Sequence, residues 1–280
     1  MPKRNKIVVA FQGEPGAFSH AAARKLLGDE VQVLPCQQFE DVFDALKTGP
    51  ATHAVIPIEN TLHGSVHENY DHLLRYDLPI VGETRIRIAH QLITMPGTRF
   101  QEVRRVMSHP VALNQCLEFF RKHPQIQKIP CYDTAGSVKT LSLERPDYSA
   151  AIASEAAAEI YGGVILRKNI EDDRQNFTRF FLLQKKPAKV AHDDRHWKTS
   201  LVFVTENRAG SLFKAIACFA LRDLNLTKLE SRPLRGKPWE YLFYVDLNGH
   251  AEETKVINAL ENLKELTSFL KILGSYQPLE

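Results

Sequence analysis

From Ile7 to Lys185 the chain alternates short β-rich runs with stretches of helical periodicity, the pattern of a layered α/β domain. Ile7–Phe11 reads as a strand, and the loop Gly13-Glu14-Pro15-Gly16 follows it. Ser19 is placed as an N-cap for a helix that stops at Gly28. Next come a strand over Val31–Leu34, a helix around Phe39–Lys47 and a strand across His53–Ile58. Gly64-Ser65 then opens a helix to about Arg75. Over Ile80–Thr94, Ile86, Ile88 and Leu92 alternate with Arg85, Arg87 and Gln91, which predicts one long half-exposed strand.

Such a strand could carry the chain into a second lobe. That lobe would hold Val103–Met107, a helix over Pro110–Lys122, Lys128–Cys131, a helix over Thr134–Leu143, and Ala150–Ala153. Ser108 is positioned to cap the Pro110 helix, with Pro110 in its first turn. Ile165–Ile170 and Phe180–Gln184 are β-like and would return the chain to the first lobe. Two lobes joined by crossing strands leave a cleft; a single sheet fits the same pattern.

A polar stretch containing Pro187, His192, Asp193, Asp194 and Arg195 reads as a linker. Beyond it the order is β(199–205), α(210–222), β(226–232), β(241–247), α(252–264), β(266–273), the ferredoxin-like βαββαβ arrangement. A four-stranded sheet of this kind has open edges, which predicts pairing with a second copy.

Composition narrows the function classes. A net charge of +3 with scattered basic residues argues against nucleic acid, and the one cluster, Lys3-Arg4-Lys6, reads as a frayed terminus. Cys36, Cys116, Cys131 and Cys218 lie far apart, without metal or disulfide spacing, so reduced thiols in a cytoplasmic protein are expected. Cys116 and Cys218 fall on predicted core faces. Ile7–Phe11 is too short for a signal segment, and no run approaches the ~20 apolar residues of a membrane span. His63, His67 and His72 look metal-like, but helical geometry turns His72 away and no cysteine or carboxylate completes the set, so no metal is expected.

Several strand-to-helix junctions could carry chemistry, since ligands favour the carboxyl ends of strands. Gly13–Gly16 could present amides to an anion or be a plain turn, and it lacks a nucleotide-binding glycine pattern. Glu59-Asn60-Thr61 with Gly64-Ser65 is a second junction, Ser108-His109-Pro110 with Gln115 a third, and Asp133-Thr134-Ala135-Gly136-Ser137 a fourth. Each is also explained by helix capping. The densest cluster is Asn176-Phe177-Thr178-Arg179-Phe180, an amide, a hydroxyl and a guanidinium at the start of an apolar strand. Its plain reading is a β edge, with Arg179 paired to the acidic run Glu171-Asp172-Asp173.

Through these motifs the whole chain resembles the prephenate dehydratase family. They are the Gly13–Ser19 loop, Pro57–Thr61 with Gly64-Ser65-Val66, Ser108-His109-Pro110 to Gln115-Cys116, and Asn176–Phe180. The carboxy-terminal part looks like the family's ACT domain, carrying Asn207–Leu212 and Glu230-Ser231-Arg232-Pro233. The resemblance implies a two-lobed, periplasmic-binding-protein-like catalytic domain over residues 6–185, a linker over 186–198, and a regulatory domain over 199–276. It also implies decarboxylative dehydration of prephenate to phenylpyruvate, without metal or organic cofactor. The catalytic hydroxyl falls on Thr178, and active-site positions on Asn60, Ser108 and Gln115. Thr61, Gly64, Ser65, Arg179 and Phe180 are expected to hold substrate, with Arg179 a candidate for one carboxylate. A phenylalanine effector site between paired subunits, in a homodimer or homotetramer, would include Ala209, Gly210, Ser211, Leu212 and Glu230–Pro233. Here the chain reads Ala-Gly-Ser-Leu where Gly-Ala-Leu-Val is common in the family. Gly16-Ala17-Phe18-Ser19 and His67-Glu68-Asn69-Tyr70 resemble the plant arogenate dehydratase branch, which keeps arogenate open as substrate. A non-catalytic small-molecule receptor is the alternative from another class.

Overall fold

A computed structural model describes residues 6–186, 196–234, 236–237 and 239–279. Lys3, Arg4 and the linker residues Pro187, His192, Asp193, Asp194 and Arg195 lie outside the described residues. The chain divides into two compact units. One comprises residues up to His72 with Thr84–Phe181; the other comprises Leu73–Glu83 with the described residues from Leu182 onward.

One lobe, in the first unit except for Leu73–Glu83, is built from β1 (Val8–Gln12), α1 (Phe18–Leu27), β2 (Gln32–Cys36), α2 (Phe39–Lys47), β3 (His53–Asn60), β4 (Gly64–Ser65), α3 (His67–Tyr76) and β5 (Ile80–Arg87). The second lobe contains β6 (Gln91–Thr94), β7 (Arg105–Ser108), α4 (Pro110–Asn114), α5 (Leu117–Lys122), β8 (Gln127–Pro130), α6 (Thr134–Glu144), β9 (Ser149–Ala153), α7 (Glu155–Tyr161) and β10 (Val164–Arg167). β11 (Phe177–Gln184) then returns to the first sheet, in which β5, β11, β3, β1 and β2 are successive neighbours and β4 pairs with β3. The second sheet runs β10-β6-β9-β7-β8. Two separate sheets settle the choice that periodicity left open.

Both lobes have parallel centres: β1 pairs β2 and β3 in parallel, and β7 pairs β8 and β9 in parallel. Parallel strands covered on both faces are apolar throughout, as in Val9-Ala10-Phe11 and Ala150–Ala153, all fully buried. Cys116 is part of the second lobe's core, with Val106, Leu113 and Phe120.

Several local expectations are corrected. The predicted long strand breaks at Ile88–His90 into β5 and β6, in different sheets, and most of its residues are buried. Ser19 lies inside α1, which starts at Phe18 without a side-chain cap; His20 Nδ1 instead accepts from the Gly16 amide at 3.0 Å. Gly64-Ser65 pairs with β3, and the helix begins only at His67. His109, not Ser108, caps α4, and the predicted single helix breaks at Gln115-Cys116. α7, capped by Ser154, carried too short a signal to be predicted. β10 pairs antiparallel with β6 and so stays in the second lobe.

The second unit contains β12 (Lys198–Thr205), α8 (Ser211–Ala220), β13 (Leu226–Pro233), β14 (Tyr241–Asn248), α9 (Thr254–Glu265) and β15 (Thr267–Tyr276). Their sheet order, β13-β14-β12-β15, is ferredoxin-like, with β13 and β15 at its edges. Leu201, Phe203, Cys218, Phe219, Val245 and Leu260 share its core. Lys198 Nζ also meets Glu83 Oε1 at 2.7 Å, with both side chains almost wholly buried. No described helix is long and apolar enough to cross a membrane.

Candidate active site

A cavity of about 630 Å³ lies between the two lobes of the first unit. Its wall takes Asn60 from the end of β3, Gly64 and Ser65 from β4, Gln115 from the α4–α5 break, and Thr178 and Phe180 from β11. Three regions far apart in sequence therefore meet at one cleft.

Strand phase selects the β11 residues. Side chains alternate across a strand, so Thr178 and Phe180 face the cavity while Arg179 faces away. Arg179 is buried, its guanidinium 4.8 Å from the Phe181 ring centroid and its Nη1 3.8 Å from Glu59 Oε2. It therefore meets neither the cavity nor the acidic run. Glu171 instead pairs with Arg87 and accepts from the His90 amide at 2.9 Å. The Asp172 carboxylate accepts from the Leu117 and Glu118 amides at 2.7 and 2.9 Å, capping α5.

Asn60 organises the catalytic candidates. Its Oδ1 accepts from the amides of Leu62 and His63, both at 3.0 Å, which fixes the side-chain orientation. Nδ2 therefore donates, sharing its protons among Thr178 Oγ1 at 3.0 Å, Asn176 Oδ1 at 2.8 Å and Phe177 O at 3.1 Å. With its oxygen accepting from Asn60, Thr178 keeps its own proton for a group in the cavity.

Two other expected site residues are structural. Thr61 Oγ1 donates to Gln175 O at 2.8 Å and accepts from the Phe177 amide at 3.0 Å, fastening β3 to the start of β11. Ser108 is fully buried, donates to Ile152 O at 2.6 Å, and is not part of the cavity wall.

The Gly13–Gly16 loop is a clasp between the lobes. Glu14 Oε1 accepts from Tyr132 Oη at 3.0 Å and Lys139 Nζ at 2.8 Å, and the Glu14 amide donates to Asp133 Oδ2 at 3.2 Å. Ser154 Oγ donates to Gly16 O at 2.5 Å. Gly16 has φ +91°, and an added Cβ would stand 2.7 Å from Ala157 Cα.

His63, His90 and Tyr132 are wall residues absent from the sites expected from the sequence, while His109 and Asp133 fall in the strand-to-helix junctions singled out there. Burial holds the His90 and His109 imidazoles below the usual histidine value. Burial also pushes the Asp133 carboxyl up, against the pull of the Gly136 and Glu14 amides. Asp133 had a signal, since it caps α6 by accepting from Gly136 N at 2.8 Å. His90 had none.

The family model for prephenate dehydratase matches residues 9–188, which includes every cavity residue named above. The chain belongs to the prephenate dehydratase family. It is 43% identical to arogenate dehydratase/prephenate dehydratase 2, chloroplastic, of Arabidopsis thaliana, over 97% of this chain and 73% of that protein. Among solved structures, prephenate dehydratase from Arthrobacter aurescens in complex with L-Phe superimposes with a TM-score of 0.88 at 30% identity, covering 97% of this chain and 90% of that one. A structure described as GqqA, a novel type of quorum quenching acylase, gives 0.89 at 34% identity, covering 97% and 98%. That activity is stated for that protein.

The expected effector residues lie in the second unit. Gly210, with φ +81°, precedes α8, which has no side-chain cap; Ser211 and Leu212 form its first turn and Ala209 leads into it. Glu230–Pro233 end the edge strand β13, and Glu230 Oε2 is 2.9 Å from Lys228 Nζ.

Proposed function

We propose that the chain converts prephenate to phenylpyruvate, with loss of carbon dioxide and water, in phenylalanine synthesis. The observation that carries this reading is the Thr178 hydroxyl in the cavity wall, whose oxygen accepts from Asn60 Nδ2 at 3.0 Å and leaves its proton to donate. As the ring carboxylate's C–C bond breaks, its electron pair enters the ring and the C–O bond of the ring hydroxyl breaks. Aromatisation supplies the driving force. The departing oxygen needs a donor in a site shielded from water, and Thr178 serves as that donor. Gln115 and Ser65 are placed to orient the substrate, and Phe180 supplies an apolar wall.

A second reading, arogenate as substrate, is favoured by charge. Glu68 and Asp133 are in the cavity wall, which contains no lysine or arginine among the described residues. Prephenate brings two carboxylates, whereas arogenate replaces the keto group with an ammonium. An ammonium would relieve the raised Asp133 carboxyl.

Feedback by phenylalanine at an ACT domain formed by the second unit is part of the proposal. Its support is the amino end of α8, which no side chain caps and whose dipole suits a carboxylate. Within one chain β14 lies between β13 and β12, the strand leading to α8, which fits a site completed by a second copy. The four cysteines are free thiols, in keeping with a reducing, cytoplasmic setting, while several plant relatives are named chloroplastic.

The test is the purified chain with prephenate and with arogenate, with and without phenylalanine. Phenylpyruvate from prephenate, suppressed by phenylalanine, is expected. A larger kcat/KM for arogenate would select the second reading, and no product from either would favour a receptor.

A further inference from the structure

At the junction of the lobes His90, Gln115 and His63 form a chain of side chains, of which the chemistry above uses only Gln115. His90 Nε2 is 2.8 Å from Gln115 Oε1, and Gln115 Nε2 is 3.3 Å from His63 Nδ1. All three residues belong to the cavity wall with Thr178. We propose that His90 is a positioning residue: through the Gln115 amide it sets which nitrogen of His63 carries the proton presented to the cavity.

The direction of the chain follows from burial. His90 is 1% exposed, and its backbone is tied on both sides, the amide to Glu171 Oε2 and the carbonyl to Ile170 N, each at 2.9 Å. The Phe18 ring meets its imidazole edge-on at 5.8 Å. His90 Nδ1 is buried without a hydrogen-bond partner. A neutral imidazole has one N–H. On Nδ1 that proton would be an orphaned buried donor, a rarer defect than an unpaired acceptor. On Nε2 it donates to Gln115.

That choice propagates. An amide oxygen accepting from His90 turns the Gln115 NH₂ toward His63, whose Nδ1 must then accept. The His63 proton sits on Nε2, at the opposite edge of a ring in the cavity wall. His63 is held from its other side by Asn60, whose Oδ1 accepts from the His63 amide at 3.0 Å. Asn60 therefore positions both Thr178 and His63. In a wall without lysine or arginine among the described residues, an N–H donor at His63 suits a substrate carboxylate.

The kinetic part rests on the dehydratase reading; the tautomers do not. Nitrogen-15 NMR of the histidine side chains in the full chain, assigned with single His→Gln variants, reads them directly. Wild type should show Nε2–H at both His90 and His63, with His63 Nδ1 shifted as a hydrogen-bond acceptor. In His90→Phe, which keeps the ring bulk, that shift should move toward a free imidazole. kcat should fall about tenfold, the loss of one hydrogen bond, with KM changed less than about twofold. His90→Gln, which retains a donor, should recover most of the rate. A proton on Nδ1 of His63 in wild type overturns the proposal, as does an unmoved His63 signal in His90→Phe. Recovery in His90→Gln no better than in His90→Phe also overturns it. If neither substrate reacts, the dehydratase reading fails while the tautomer result still decides the relay.

Discussion

Replacing Thr178 by valine removes one oxygen and keeps a β-branched side chain of nearly the same shape on β11. The lost contact is the 3.0 Å hydrogen bond from Asn60 Nδ2. That nitrogen keeps Asn176 Oδ1 at 2.8 Å and Phe177 O at 3.1 Å, so both its protons retain acceptors. The stability loss should be that of one ordinary hydrogen bond, about 0.5–1.5 kcal/mol, and valine's strand preference offsets part of it. Catalysis should suffer far more. A preorganised donor to a developing oxyanion is worth roughly 10²–10³ in kcat, or about 2.7–4 kcal/mol. Substrate is held mainly by other groups, so KM should move little. Turnover would be measured as product formed from prephenate and arogenate, alongside thermal unfolding of both proteins. Thr178→Ser keeps the oxygen and should retain substantial activity. If Thr178→Val turned over within about threefold of wild type, the hydroxyl would not be a transition-state donor. If it lost activity only with its fold, the residue would be structural.

Three further outcomes are expected. Glu83→Gln leaves Lys198 buried without its counter-ion and should destabilise the second unit by about 3–5 kcal/mol in denaturant unfolding; an unchanged midpoint would contradict the buried pair. Gly16→Ala combines a left-handed φ with a Cβ 2.7 Å from Ala157 Cα, so it should strain the lobe clasp by about 1–3 kcal/mol. It should also raise KM, and wild-type KM and melting would refute the clasp. The third concerns pH. The folded His90 value lies below its ordinary 6.5, so the stability its neutral form contributes is complete above that pH and lost as pH falls through the window beneath it. His90→Gln should flatten the fall in melting temperature between about pH 7 and 5; an identical slope in both proteins would count against a buried neutral histidine.

Much of the fold was legible because periodicity reports which residues are apolar on one face. The helix expected around Phe39–Lys47 is α2 with those ends, and the six βαββαβ elements fall within a few residues of their expected spans. Capping motifs were less informative. A serine before a helical proline reads the same whether it caps, binds or packs, and Ser108 packs, through Ile152 O, 44 residues away. The Glu14 clasp involves residues 118 to 125 positions distant, and nothing in Gly13–Gly16 names them. His90 was invisible for the same reason, being one residue of a strand-like run until the chain breaks there.

The amino-acid sequence by itself determined the order of elements, the two kinds of domain and the cluster Asn176–Phe180, because local periodicity and motif spacing are carried by neighbours in the chain. Tertiary structure alone decided which members of that cluster face the cavity. β11 pairs in a register that turns Thr178 and Phe180 to the cavity and Arg179 to Phe181 and Glu59. A strand has two faces, and only the sheet and lobe packed against it determine which one meets the substrate.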